Sequence, residues 1–182
     1  MLRSTTSCLF IFVFFCGQKN CIFCDADVYW RDYNGSIPSD AFPTYHGNYI
    51  AQVVYYVREE LGVVPGTLYP ESKIVISESA HGKITFKDNI KILCTTEPTA
   101  FEWMYVNVEQ LKPTFLQNCV IGGGAYYYNR GVKVYIGKIF HEGQWKIGKV
   151  FGLDVKQPGL KVWWNNGRTY WAKDFQILRK LY

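Results

Sequence analysis

Val132-Lys133-Val134-Tyr135-Ile136-Gly137-Lys138-Ile139 decides the fold. Over its first half apolar and polar residues alternate, and a period of two puts every second side chain on one face of a strand. Lys73-Ile74-Val75-Ile76-Ser77 and Lys83-Ile84-Thr85-Phe86-Lys87 carry the same pattern, the second more cleanly. β-Branched and aromatic residues dominate these runs, as a half-buried pleated surface favours. Turn signals sit between them at Asn34-Gly35, Pro65-Gly66, Pro158-Gly159 and Asn166-Gly167. Lys161-Val162-Trp163-Trp164 and Thr169-Tyr170-Trp171, joined through Asn165-Asn166-Gly167, read as a hairpin. Only Tyr55 to Leu61 has a helical look, and its Val and Tyr content argues against it. The chain is expected to be all β, its short strands at this spacing suggesting a sandwich or barrel.

Composition agrees. Of the 182 residues 48% are hydrophobic, 19% charged and 18% aromatic, which excludes a disordered chain. The net charge of +5 is modest, and the lysines and arginines are scattered singly rather than gathered on a stripe or arm. Nucleic acid is therefore not an expected partner.

At the N-terminal end, Arg3 precedes the apolar run Cys8-Leu9-Phe10-Ile11-Phe12-Val13-Phe14-Phe15-Cys16-Gly17, which Gln18-Lys19-Asn20 interrupts. A spanning helix needs about 20 apolar residues, so the run reads as a secretory signal peptide. Cleavage is expected after Ala26, with Cys24 and Ala26 at the constrained positions; Cys24 and the Gly17 region are the alternatives. No other segment is apolar for long enough to insert stably in a membrane. A secreted, extracellular chain follows. Four of six cysteines lie in the leader; the other two, Cys94 and Cys119, are candidates for a disulfide in an oxidising compartment, or two buried thiols. Asn34-Gly35-Ser36 is a glycosylation acceptor if the chain is exported.

The chain also repeats itself. Ile84-Thr85-Phe86-Lys87-Asp88-Asn89-Ile90-Lys91-Ile92-Leu93 reappears as Thr169-Tyr170-Trp171-Ala172-Lys173-Asp174-Phe175-Gln176-Ile177-Leu178. Val64-Pro65-Gly66-Thr67-Leu68 corresponds to Lys146-Ile147-Gly148-Lys149-Val150, and Ser39-Asp40-Ala41-Phe42 to Asn118-Cys119-Val120-Ile121. A unit this long, present twice in the same order, is a duplication rather than a solenoid. The expected organisation is a leader over residues 1–26, a first repeat over 27–97 and a second over 98–182. The two tandem pseudo-symmetric repeats of short antiparallel strands are expected to form a compact β-sandwich-like unit.

The second copy carries Tyr135-Ile136-Gly137-Lys138-Ile139-Phe140-His141-Glu142-Gly143, then Ile147-Gly148-Lys149-Val150 and Phe175-Gln176-Ile177-Leu178. The first carries Gly35-Ser36-Ile37-Pro38-Ser39-Asp40-Ala41-Phe42 and Val64-Pro65-Gly66. In this order the motifs resemble the DM-nine repeat family, over about Trp30 to Arg179. The resemblance implies a tandem-repeat all-β module like those of mannose-binding invertebrate lectins in innate immunity, or of natterin-like N-terminal modules. It also implies a sugar pocket in which the lysine of a P-G-K motif works with the carboxylate of a D-x-D-G loop: the ammonium donates to sugar hydroxyls and the carboxylate accepts from them. Here that lysine corresponds to Lys149 in the second copy, where Ile147 replaces the proline, and to Thr67 in the first. The acidic loop corresponds to His46-Gly47-Asn48 and to Tyr128-Asn129-Arg130-Gly131, both without the carboxylate. Lys149, Asn129, Tyr128, His46 and Asn48 are the carbohydrate-binding candidates.

Other features carry a plainer meaning. Tyr126-Tyr127-Tyr128 offers rings for stacking on a pyranose, although alternate tyrosines of a β protein usually line the core. Trp163 and Trp164 point oppositely on a strand, so at most one faces a ligand. Gly122-Gly123-Gly124 lacks the Gly-Lys-Ser/Thr of a phosphate loop. His46, His81 and His141 lie far apart, with no nucleophile or metal-ligand spacing. Neither an enzyme, nor a metal, nor a cofactor is expected. The expected function is secreted, lectin-like recognition of mannose-type glycans or glycoproteins, in a monomer or homodimer. The alternative is a protein-interaction or structural module whose sugar site is lost.

Overall fold

The computed structural model describes residues 27–57, 60–79, 81–127 and 130–181. The proposed leader, Tyr128 and Asn129 fall outside them. Its first half contains β1 (Val28–Asp32), β2 (Tyr49–Val57), β3 (Glu60–Tyr69), β4 (Ile74–Ser79), β5 (Gly82–Phe86) and β6 (Lys91–Thr95). The second contains β7 (Phe101–Asn107), a single helical turn α1 (Pro113–Leu116), β8 (Ile121–Tyr127), β9 (Arg130–His141), β10 (Gln144–Phe151), β11 (Gly159–Trp163), β12 (Thr169–Ala172) and β13 (Asp174–Lys180). Hydrogen bonds join all 13 strands into one branched antiparallel sheet. Among the described residues no helix is long and apolar enough to cross a membrane.

The deciding stretch forms most of β9, and its burial explains its pattern. Val132 and Val134 are buried while Gly131 and Lys133 are exposed, so alternation holds where one face meets water. From Ile136 to Lys138 every residue is buried: Ile136 packs with Phe42, Ile147 and Leu178, and Lys138 lies against Trp103 and Trp145, while on the other face Gly137 is covered by Val150 and Leu160. Strands covered on both faces lose the alternation. β11 goes further, with all five residues buried. The predicted hairpin is β11–β12, with Trp163 opposite Thr169, and the helix-like Tyr55–Leu61 stretch lies in the β2–β3 hairpin.

Pairings in the second half recur from the first at matched stations. β1 pairs β6 as β7 pairs β13, and β2 pairs β6 as β9 pairs β13. The ladder β2–β3–β4–β5 has its counterpart in β9–β10–β11–β12. Ala51 faces Gly66 and Gly137 faces Gly148, so Thr67 and Lys149 each follow the paired glycine of their ladder. Glycine is required at both: a Cβ on Gly148 would lie 2.2 Å from the Lys161 carbonyl oxygen, and one on Gly66 2.8 Å from that of Ile76. β8 has no counterpart in this scheme; it pairs β3 on one side and β9 on the other.

One hydrophobic cluster gathers around Val53, Val64, Leu68 and Ile92, and a second around Leu160, Trp163, Phe175 and Ile177. A third joins Phe42, Ile50 and Leu93 to Ile136, Ile147 and Leu178. Polar bonds cross at the same place: Thr67 Oγ1 donates to the Ile147 carbonyl (3.3 Å) and accepts from its amide (2.8 Å).

Cys94 and Cys119 are not bonded to each other. Both are free and buried, Cys94 in the first cluster and Cys119 in the second, so each serves as a small apolar side chain. Burial pushes the Cys119 thiol up to about 12, which keeps it from the reactive thiolate form. The folded chain should therefore resist iodoacetamide and label at both thiols only in denaturant. A mass spectrum of the native protein after oxidative folding checks this; a loss of two hydrogens bridging Cys94 and Cys119 contradicts it.

Candidate functional site

Three turns converge on a cleft of about 500 Å³: residues 46–48 ahead of β2, residues 69–72 between β3 and β4, and the β9–β10 hairpin with Phe140 and residues 143–145. The first turn is clasped by its own side chains. Thr44 Oγ1 donates to the Asn48 carbonyl and lies 3.2 Å from Asn48 Oδ1, while Tyr45 and Gly47 take positive φ. Asn48 Nδ2 then donates to the Trp145 carbonyl at 3.0 Å, tying this first-half turn to the second half. Asn48 is buried, so it positions the loop, and His46 is carried outward.

The His46 ring lies on Trp145, centroids 4.4 Å apart and planes 10° apart. Phe140, well exposed, meets the Trp145 indole edge-on at 5.7 Å. Beneath them runs the buried Lys138, its ammonium 4.4 Å from the Trp103 ring centroid and 4.9 Å from that of Trp145. Such cation–π contacts strengthen when the cation is desolvated. Lys138 Nζ is also 3.4 Å from His46 Nε2. Burial lowers Lys138 to about 8; His46 is held below its ordinary 6.5 first by burial and then by the Lys138 charge. The far wall is polar. Tyr69 donates its hydroxyl to Gln144 Oε1 at 2.8 Å, and burial raises that phenol to about 12. Glu71 and Ser72 stand exposed at the rim.

Lys149 lies elsewhere. It is 3% exposed, on β10, and its ammonium sits 2.9 Å from Glu78 Oε2 of β4, itself 1% exposed. Thr169 Oγ1 donates to the other Glu78 oxygen at 2.7 Å. The ammonium is thus spent on an internal ion pair behind the surface, and its first-half counterpart Thr67 is equally buried. Of the sequence candidates, His46 and Asn48 come together in the cleft, and Lys149 does not join them. A second cavity, about 570 Å³, is lined in part by Gly131, Lys133, Tyr135 and Asp154; the candidates Tyr128 and Asn129 lie outside the described residues. The Asp154 carboxylate is engaged by Arg130 at 2.8 Å. Asn34 is exposed, its Oδ1 accepting from the Ser36 amide and hydroxyl.

Sequence reasoning missed Trp145, Lys138, Trp103 and Glu71. Trp145 stands two residues beyond the quoted His141-Glu142-Gly143 and was legible as the hairpin's return strand; nothing in the sequence brings Trp103 and Lys138 together. The tryptophan pair Trp163-Trp164 splits as strand geometry requires, with Trp163 fully buried and Trp164 half-buried against His141 and Tyr170. Among the described residues no group of three or more His, Cys, Asp or Glu side chains is arranged to hold a metal.

No curated protein matches the chain. The DM9 repeat matches residues 43–154, which runs from the clasped turn through the β9–β10 hairpin to the loop after β10 and takes in every residue lining the cleft. With well over half of its length inside that match, the chain belongs to the DM9 repeat family.

Proposed function

We propose that the protein is a secreted, non-catalytic recognition module that binds carbohydrate of the mannose type in the His46–Trp145 cleft. The observation that carries this reading is the pairing of an aromatic wall, Trp145 and Phe140, with a polar rim, Glu71 and Ser72, across one open cleft. A pyranose has an apolar C–H face and an edge of hydroxyls. The first suits the rings; the second suits a carboxylate, which accepts from two hydroxyls at once. Glu71 supplies the acidic group that the D-x-D-G stations lack. Binding is reversible, without bond making, and the exported state expected from the leader would bring the cleft to extracellular glycans.

A glycan array read with wild type, Trp145→Ala and Glu71→Gln tests the proposal. Wild type is expected to retain mannose-type glycans. Glu71→Gln should weaken retention by about tenfold or more, since a hydrogen bond to a charged group contributes about 1.5–3 kcal/mol and 1.4 kcal/mol is tenfold. Trp145→Ala should lose it. Silence of wild type on every glycan overturns the reading.

A protein-interaction module is favoured instead by a different observation. Val54, Tyr56, Leu61 and Tyr126 are exposed on the β2–β3 and β8–β9 hairpins, an apolar surface of the kind that marks contacts with other proteins.

A further inference from the structure

The contact between His46 and Lys138 works in only one protonation state. An ammonium has donors and no acceptor, so at 3.4 Å Nε2 must be unprotonated and accept from Lys138. The hydrogen then sits on Nδ1. In this state the imidazole lies flat on Trp145 and shields one face of the indole inside the cleft. Protonation converts Nε2 into a donor, removes the bond and sets two cations at hydrogen-bond distance. Among the described residues the ring is then held by its stack on Trp145 alone, against the repulsion of the Lys138 ammonium: His46 is exposed, and its turn is fixed at Thr44 and Asn48 on either side rather than at the ring.

We propose that His46 is an acid-released cover on Trp145, stacked on the indole when neutral and displaced when protonated, so that carbohydrate gains the indole face as pH falls. The proposal rests on the carbohydrate reading of this cleft and adds its regulation. The charged groups facing His46 are few. Lys138 approaches from β9 with its ammonium held between Trp103 of β7 and Trp145 of β10. Glu71 stands on the opposite rim, in solvent, and Tyr69 beside it is un-ionised. At the tip of the β9–β10 hairpin, Glu142 is bonded to Lys146 at 2.6 Å, which removes both from the exchange. The nearest charge is thus the lysine, and it opposes the imidazolium. Because burial and Lys138 both hold the proton off, the changeover lies on the acid side of 6.5.

NMR of the full chain reads the cover directly through the Trp145 indole N–H, followed from neutral pH to about pH 5, with methyl α-mannoside titrated at each end. In wild type the resonance should move with a single midpoint below 6.5. His46→Phe keeps a stacked, non-titrating ring and should abolish the movement; His46→Ala should show the acid position already at neutral pH. Mannoside should bind wild type several-fold more tightly at the acid end and His46→Ala equally at both. A Trp145 resonance that stays still in wild type, or titrates unchanged in His46→Phe, overturns the cover. So does mannoside binding that ignores pH while the resonance moves. A resonance that titrates as described in a protein binding no sugar at either pH leaves the acid-released ring in place and removes the carbohydrate reading instead.

Discussion

Lys149→Ala should lower the free energy of unfolding by about 3–5 kcal/mol, because removing one member of a buried ion pair leaves the other charge stranded. Glu78 would be that stranded charge: 1% exposed, on β4, with Thr169 Oγ1 its remaining donor. The pair links β10 to β4, strands from different halves, and the Lys149 ammonium also lies 5.4 Å from the Tyr55 ring centroid and 5.8 Å from that of Phe151. Glu78→Gln strands the buried Lys149 ammonium in the same way, relieved only in part by the acceptor the amide keeps, and should cost a comparable amount. The double variant Lys149→Met with Glu78→Leu should recover much of the loss, as apolar replacements of buried pairs commonly do. Urea unfolding of the four proteins checks this; a loss below about 1 kcal/mol for Lys149→Ala would mean the pair behaves like an exposed one. The consequence for function is direct. Any fall in glycan retention by Lys149→Ala reports damage to the fold, so Trp145 and Glu71 are the positions that interrogate the site.

Trp163→Ala is expected to cost about 3–5 kcal/mol, the usual range for deleting a large aromatic side chain from a core. Trp163 is fully buried at the centre of the second cluster, packed among Leu160, Phe175 and Ile177. The buried Lys146 ammonium lies 5.4 Å from its ring centroid and donates to its carbonyl oxygen at 2.8 Å. The void would therefore open beside a buried charge. Trp164→Ala provides the internal comparison: half-buried, it only borders His141 and Tyr170 and should cost far less. Equal losses from the two tryptophans, measured by thermal or urea unfolding, would contradict this packing.

Much of the architecture was readable from residue order, for physical reasons that can be located. Alternation in Val132–Tyr135 follows from one wet face, and its loss after Ile136 from cover on both. The Gly66 and Gly148 stations could be aligned because each backbone passes a neighbour too closely for a Cβ. The closing Ile92-Leu93 and Ile177-Leu178 align because each leucine carbonyl accepts from the matched residue, Phe42 in one case and Val120 in the other. That same pair of bonds corrects the alignment of Ser39–Phe42 by one residue: Phe42 corresponds to Val120, not Ile121. The β5 and β12 strands differ likewise, Phe86 matching Ala172 by register rather than Trp171. Strand pairing fixes such details, and single short motifs do not carry it.

The site was legible only in part. His46 and Asn48 could be singled out because their turn is local, closed within five residues by Thr44 and two positive-φ positions. Lys149 was misleading as a surface candidate because its partner, Glu78, arrives from a strand far away in sequence; the lysine's fate depends on a pairing that no local pattern records. Lys138 was invisible for the same reason, its cage being assembled from β7 and β10 around a β9 side chain. Of the two readings open for Cys94 and Cys119, the structure shows the buried thiols, each absorbed into a different cluster.

Titration of methyl α-mannoside into isotope-labelled protein, with every perturbed backbone and indole resonance mapped, tests the central claim most directly. The account predicts perturbations concentrated at His46, Glu71, Ser72, Phe140 and the Trp145 indole, with Lys149 and Glu78 undisturbed. Perturbations gathered instead around Asp154 and Tyr135, or none at saturating sugar, would contradict it.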